Sequence, residues 1–338
     1  MKIIVAPDSF KECLPARRVA AVMADAISKT LPAAKVQAIP LADGGEGLLD
    51  VLTPALEARE HTVTVKDPLG RPVQARFAVW NGTALIEVAQ ACGLHLLKPE
   101  ERHPLEADSR GVGELLLAAH RLGCRFFLVG LGGSATCDGG TGMLSVPGIS
   151  QLKDSRFEIL CDVDAPFIGP RGAARVFAPQ KGASPLEVTL LEARMARLAE
   201  QWLQETGVDV ADMPGAGAAG GLGGAFLVHL GASKVSGIRK VLELVRFREA
   251  VQGADLIITG EGRSDAQTLL GKVPFGVLQN AGNVPVALVS GCIDDRDALQ
   301  RAGFGRIREV TPRDMLLSEA LQPQTAEGLI FRAVQSLF

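Results

Sequence analysis

Four apolar runs end abruptly in turn chemistry: KIIVAPDS (2–9), RFFLVGLGGS (125–134), DLIITGEGR (255–263) and VPVALVSG (284–291). Each holds several apolar, largely β-branched residues in succession, and each stops at Gly, Ser or Asp. Alternation of polar and apolar residues marks a strand with one wet face. Its absence predicts strands covered on both faces, as in a parallel sheet. Parallel strands need crossover helices, and helical patterns lie between the runs. PARRVAAVMADAISKTL (15–31) sets Val19, Val22, Met23, Ala26 and Ile27 on one face, and GVGELLLAAHRLG (111–123) ends on Gly123, placed for a helix C′ position. The pattern predicts βαβ units and an open α/β sheet.

Residues 63–104 read differently. Partly alternating strands flank DPLGRP (67–72) and the dipeptide NG (81–82), which suits a tight hairpin. Residues 157–181 continue with short strands and loops. SPLEVTLLEARMARLAEQWLQET (184–206) then opens with Ser184, Pro185 and Glu187: an N-cap, an N1 proline and a capping-box acid. Leu191, Met195, Leu198 and Trp202 form its apolar stripe. The expected organisation is a parallel-sheet domain of residues 1–62 plus 105–150 plus 250–338, with a second, mixed α/β domain of residues 63–104 plus 151–249 inserted in it. A chain of 338 residues is long enough for both.

Composition narrows the function. A chain that is 47% hydrophobic and 22% charged is globular with a sizeable core. A net charge of −3 argues against a general nucleic-acid binder, and the absence of Tyr leaves few stacking platforms for single strands. No run approaches the roughly 18 apolar residues of a membrane span, and the apolar start of MKIIVAPDSF is too short for a signal sequence. The expectation is a cytoplasmic protein with neither a nucleic-acid nor a membrane partner. The six cysteines are far apart and form no CxxC, which predicts reduced thiols rather than disulfides or a zinc site. Cys124 and Cys161 read as core; Cys137, inside a glycine loop, is the thiol with a functional reading.

In an open α/β sheet, ligands bind beyond the carboxyl ends of the strands. The polar residues after the runs should therefore converge: Asp8, Ser9 and Lys11; Ser134, Thr136 and Asp138; Glu261, Arg263 and Asp265; and Ser290. LADGGEG (41–47) adds Asp43 and Glu46. Glycine lets backbone N–H groups approach an anion, and phosphate is the natural guest of such a nest. Carboxylates on the same rim suggest a divalent cation, because magnesium shields phosphate charge and takes one or two carboxylates plus water. Lys11, Lys181, Arg263 and Lys272 would neutralise the rest. One glycine turn needs no purpose beyond turning the chain; several on one edge point to phosphoryl transfer, where positioning and electrostatics do most of the catalysis. No GxxxxGK[ST] is present, which excludes a P-loop kinase. GAGAAG (215–220) matches GxGxxG, but DVADMP before it makes a poor strand and no acid follows until Glu243. Those glycines read better as a place where a helix packs closely than as a nicotinamide site.

With these loops in hand, the sequence resembles the bacterial type I glycerate kinase family. The resemblance rests on IVAPDSFK (4–11), PLADGGEG (40–47), GVGEL (111–115), GLGGSATCDGGTGML (130–144), CDVDAPFIGPRGAARVFAPQKGA (161–183), ADMPGAGAAGGLG (211–223) and DLIITGEGRSDAQTLLGK (255–272). It implies a Rossmann-like or flavodoxin-like domain intertwined with a second α/β domain. It also implies ATP-dependent, magnesium-assisted phosphorylation of D-glycerate to 2-phosphoglycerate, with 3-phosphoglycerate as the other outcome. The chain departs from the family pattern at Cys137, where the family has Asn, and at Ser264 and Ala266, where it has Ile and Gly. The stretch after Leu144 is also shorter. Within this reading Asp43 is the favoured base, with Glu46, Asp138 and Asp265 as its competitors or as magnesium ligands, and Lys11 or Arg263 holds the substrate carboxylate. Gly132, Gly133, Ser134, Lys181, Glu261 and Lys272 attend the nucleotide, and Glu46, Asp138 and Asp265 attend magnesium. The rival readings are a catalytically impaired sensor of glycerate or nucleotide and an NAD-dependent hydroxy-acid dehydrogenase.

Overall fold

A computed structural model describes all 338 residues. The strands, in chain order, are β1 (Lys2–Val5), β2 (Lys35–Ala38), β3 (Arg59–Lys66), β4 (Pro72–Trp80), β5 (Thr83–Glu87), β6 (Phe126–Gly130), β7 (Arg156–Leu160), β8 (Ser233–Val235), β9 (Leu256–Ser264), β10 (Val286–Ile293) and β11 (Arg306–Glu309). The chain divides into two compact units. The first is Met1–Asp43, Asp50–Ala55 and Ile238–Phe338, and the second is Gly44–Leu49 with Leu56–Gly237.

The first unit is built on a five-stranded sheet of order β11-β10-β9-β1-β2, parallel throughout. Counted within the unit, that order is 2-1-3-4-5, the flavodoxin-like arrangement, whose switch point lies between its first and third strands. Here those strands are β1 and β9. The unbroken apolar runs behave as expected for strands covered on both faces: Ile3, Ile4, Val5, Ile257, Ile258 and Ala287 through Val289 are all fully buried. The helix Ala16–Thr30 buries the predicted stripe of Val19, Val22, Met23, Ala26 and Ile27. It shares a core with β1, β9, β10 and the last helix, Pro323–Gln335.

The second unit holds a mixed sheet of order β3-β4-β5-β6-β7-β8. Pairing is antiparallel from β3 to β5 and parallel from β5 to β8. The NG dipeptide closes the β4–β5 hairpin, with Asn81 at φ 48° and Gly82 at φ 77°, as a type I′ turn demands. The capping box at Ser184 forms as expected. Ser184 Oγ accepts from the Glu187 N–H at 3.4 Å, and a Glu187 carboxylate oxygen accepts from the Ser184 N–H at 2.7 Å. The helix Pro185–Thr206 then buries Leu191, Met195, Ala199 and Trp202 and ends on Gly207 at φ 73°. Phe167 packs on Trp202, and Phe127 stacks on Phe157, with ring centroids 5.1 and 4.7 Å apart.

The expected boundaries move. Residues 105–150 belong to the second unit, because β6 lies between β5 and β7 and pairs in parallel with both. Residues 238–249 belong to the first. Continuous apolarity reports that a strand is covered on both faces; it carries no information about which sheet covers it. No helix is long and apolar enough to cross a membrane.

Both tryptophans, Trp80 and Trp202, lie in the second unit, so tryptophan fluorescence reports on that unit directly. Ser184→Ala removes an N-cap worth about 1 kcal/mol. The urea midpoint of the fluorescence transition should fall accordingly with its slope unchanged; an unmoved midpoint would show the capping box to be idle.

Candidate functional site

In the first unit the loops beyond β1, β9 and β10 gather polar groups at the switch point. The Asp8 N–H donates to the Gly260 carbonyl at 2.8 Å, continuing the β1–β9 ladder past the strand end and carrying the Asp8 side chain into the interior. Its Oδ1 accepts from the Ser9 N–H at 2.6 Å. Glu261, inside β9, is 5% exposed. Its Oε1 accepts from Ser264 Oγ at 2.9 Å and Thr268 Oγ1 at 2.6 Å, and Lys272 Nζ stands 3.6 Å from Oε2. Asp265 caps the turn Ala266–Leu270 through the Gln267 N–H and lies 3.9 Å from Lys272 Nζ. Arg263 donates to Asp294 at 2.6 Å and remains largely exposed. A pocket of about 970 Å³ opens here, lined among others by Asp8, Lys11, Asp43, Glu261, Arg263 and Lys272.

The electrostatics of this pocket are those of an acid excess. Burial, and then the like charge of Asp43, push the Asp8 carboxyl up to about 8, against the pull of the Ser9 N–H and Lys11; Glu261 adds to the rise. Burial also raises Glu261, opposed by Lys272, Thr268 and Ser264. A proton or a bound cation relieves such crowding. No group of three or more His, Cys, Asp or Glu side chains is arranged to hold a metal by itself. An ion bound chiefly through phosphates needs only one or two carboxylates, and this donor set fits that case.

In the second unit the loop after β6 lies backbone against backbone on the turn at Gly45 and Glu46. A Cβ on Gly132 would fall 2.5 Å from Gly45 Cα, and one on Gly133, at φ 76°, would fall 3.6 Å from a Glu46 carboxylate oxygen. Glu46 itself is exposed, 4.0 Å from His95 Nδ1. Lys181, 3% exposed, reaches the loop from inside and donates to Ser134 Oγ at 2.9 Å and to the Thr136 carbonyl at 2.7 Å. Burial lowers its affinity for the proton, while Cys137, Cys92 and Asp138 act to retain it. Thr136 Oγ1 is buried with no partner.

Asp138 has a different part from the expected one. Its Oδ2 accepts from the N–H and Oγ of Ser109 and from the Gly142 N–H, and its Oδ1 from the Gly140 N–H, all within 3.1 Å. Those four bonds spend the carboxylate on pinning the loop, so it holds the fold rather than facing a metal. Cys137 is fully buried in the core, and burial pushes its thiol up, so the functional reading of this thiol gives way to packing. Cys124 and Cys161 are core, as expected. GAGAAG follows no strand and forms a short turn with Ala219 and Gly220 at positive φ. The Gly220 carbonyl accepts from the Gly139 N–H at 3.0 Å, so the motif braces the glycine loop.

The first unit thus brings together Asp8, Lys11, Asp43, Glu261, Arg263 and Lys272, with Asp265 beside them. The second contains Glu46, Gly132, Gly133, Ser134, Asp138 and Lys181. Sequence reasoning missed Glu87. It is 2% exposed and accepts from the Gly47 and Leu49 N–H groups at 3.2 Å each, holding the end of the LADGGEG turn. Its signal was present: a lone acid closing the apolar run TALIE.

The family model described as Glycerate kinase family matches residues 3–154 and 147–338. The Bacillus subtilis (strain 168) protein named glycerate kinase is 40% identical over 356 residues, covering 95% of this chain and 93% of that protein. The Escherichia coli (strain K12) protein named glycerate 2-kinase is 37% identical over 356 residues with the same coverage. A crystal structure from Salmonella typhimurium LT2, described provisionally as glycerate kinase 2, has a TM-score of 0.82 at 35% identity and covers 100% of this chain and 97% of that one.

Two outcomes follow from the geometry. Asp8 binds its proton more tightly folded than unfolded, so its contribution to stability is complete below its ordinary value of 3.8 and is lost as pH rises towards 8. In the presence of a chelator, Asp8→Asn should become progressively more stable than wild type between those limits, by up to about 1.4 kcal/mol per pH unit, and the gap should level off above them. Calorimetric unfolding across that range showing a flat or shrinking gap would contradict the burial. A Cβ on Gly220 would lie 2.0 Å from the Thr136 carbonyl at a φ of 69°. Gly220→Ala should therefore cost on the order of 1–3 kcal/mol, read by tryptophan fluorescence.

Proposed function

We propose that this chain, which belongs to the glycerate kinase family, transfers the terminal phosphoryl group of ATP to a hydroxyl of D-glycerate with the help of magnesium. The observation that carries the reading is the switch-point pocket, where Asp8, Asp43 and Glu261 share one space with Lys11, Arg263 and Lys272. Acids and cations side by side are what phosphoryl transfer to an alcohol asks for. The cations hold anionic substrates, and an acid takes the proton from the attacking oxygen.

Within that pocket burial and the charge of Asp43 favour the protonated form of Asp8. Asp43, beside it in the lining, is the acid assigned to receive the hydroxyl proton. Lys11 or Arg263 takes the glycerate carboxylate; Arg263 has only its Nε engaged with Asp294, which leaves its remaining donors for a forked contact. Lys272, close to both Glu261 and Asp265, stands where a phosphate oxygen would find a cation. Magnesium, when bound, would shield phosphate charge, and Glu261 and Asp265, both close to Lys272, are the acids of the first unit to hold it. The N–H groups of Gly132, Gly133 and Ser134, backed by buried Lys181, form the anion-binding candidate of the second unit. The relative named glycerate 2-kinase supports transfer to the 2-hydroxyl.

Asp43→Asn should lower kcat by about 10²–10⁴-fold with ATP and glycerate saturating. A loss of less than about tenfold would remove Asp43 as the base. ADP release across a panel of small hydroxy acids, with the product identified by NMR, tests the reaction itself; turnover with none of them would sink the reading.

A further inference from the structure

The switch-point pocket is larger than its polar rim requires. At about 970 Å³ it is at the upper end of small-molecule sites, and a three-carbon acid fills only a fraction of it. Its lining is also mixed. Asp8 and Lys11 follow β1 and Glu261 lies in β9, where the strand order reverses, with Asp43 and Lys272 beside them. Much of the remaining wall is apolar, formed by Phe10, Val310, Met315, Leu317, Ala326 and Leu329, with Glu309 and Arg313 among them. Val310 follows β11, while Ala326 and Leu329 come from the helix Pro323–Gln335. Phe10, Val310, Ala326 and Leu329 also belong to the core of the unit, so this face of the pocket is a fixed surface. A pocket that offers both charged groups and a fixed apolar surface matches a ligand that carries both kinds of group.

We propose that the first unit seats the adenine nucleotide, with the purine against the wall formed by Phe10, Val310, Met315 and Ala326 and the phosphates directed towards Lys272. The proposal rests on the kinase reading and adds to it the place where the base is held. Glycerate has no apolar end and gains nothing from this wall. A purine buries a flat face against it, each square ångström of apolar area removed from water contributing about 25 cal/mol. The acids near the phosphates make nucleotide binding depend on a cation, since without one they repel the polyphosphate tail. The base should therefore contribute affinity that is independent of the cation, whereas the phosphates should contribute affinity that is not.

The test is titration calorimetry of ADP with magnesium into the full chain, beside steady-state kinetics. Ala326→Phe crowds the apolar wall, and Met315→Ala trims it. Ala326→Phe should weaken ADP binding about tenfold or more and raise KM for ATP in parallel, leaving KM for glycerate within about twofold. Met315→Ala should move the same quantities in the same direction by a smaller factor. If Ala326→Phe does not fold by circular dichroism, Met315→Ala decides. ADP affinity unchanged in the folded variants, or a rise confined to KM for glycerate, overturns the proposal, as does wild-type protein that binds no ADP. The kinase reading fails separately. Wild type that releases no ADP with any hydroxy acid yet binds ADP, and loses that binding in these variants, keeps the nucleotide pocket while the reaction is abandoned.

Discussion

The parallel pairing of β1 with β9 is the constraint on which the functional end of the first unit depends. It sets Ile3 opposite Leu256, Ile4 opposite Ile257 and Val5 opposite Ile258, joining the start of the chain to its last quarter. One more ladder bond, from the Asp8 N–H to the Gly260 carbonyl, carries Asp8 to the level of Glu261. Without that register the acids would be ordinary surface groups with no reason to crowd. With it, they share a desolvated space, and the shift at Asp8 follows from burial and from Asp43.

The two units solve opposite electrostatic problems. The first concentrates negative charge and offsets it with lysines, a setting that calls for a bound cation. The second builds a glycine-rich loop and places the buried amino group of Lys181 beneath it. The loop is held by side chains that do not face a ligand: Asp138 with its four bonds, Glu87 at the neighbouring turn, and the close approach of Gly220. A rigid backbone cradle needs such supports, since N–H groups bind an anion well only if they are already aimed.

Much of this was legible in advance wherever the physics is local. The stripe of the helix Ala16–Thr30, the capping box at Ser184, the type I′ turn at Asn81–Gly82 and the poor strand before GAGAAG each depend on neighbours two to four residues away, and each appears as read. The candidate site was legible in part. Asp43, Lys11, Glu261, Arg263 and Lys272 were named from strand ends, and these lie in one pocket. Asp138 and Cys137 were misread because a residue in a glycine loop looks accessible on paper; whether it faces solvent or core is decided by segments such as Ser109 and Gly220, far away in the chain.

By itself, then, the sequence determined the strands, the helices and their caps, the α/β class, and which loops carry acids, cations and bare glycine. Only the tertiary structure decided which sheet each apolar run joins. It moved β6 from the expected parallel sheet into the mixed one and turned Asp138 from a ligand candidate into a pin. Local periodicity reports how many faces of an element are covered, whereas the identity of what covers them is set by pairings between segments that no short window of sequence contains.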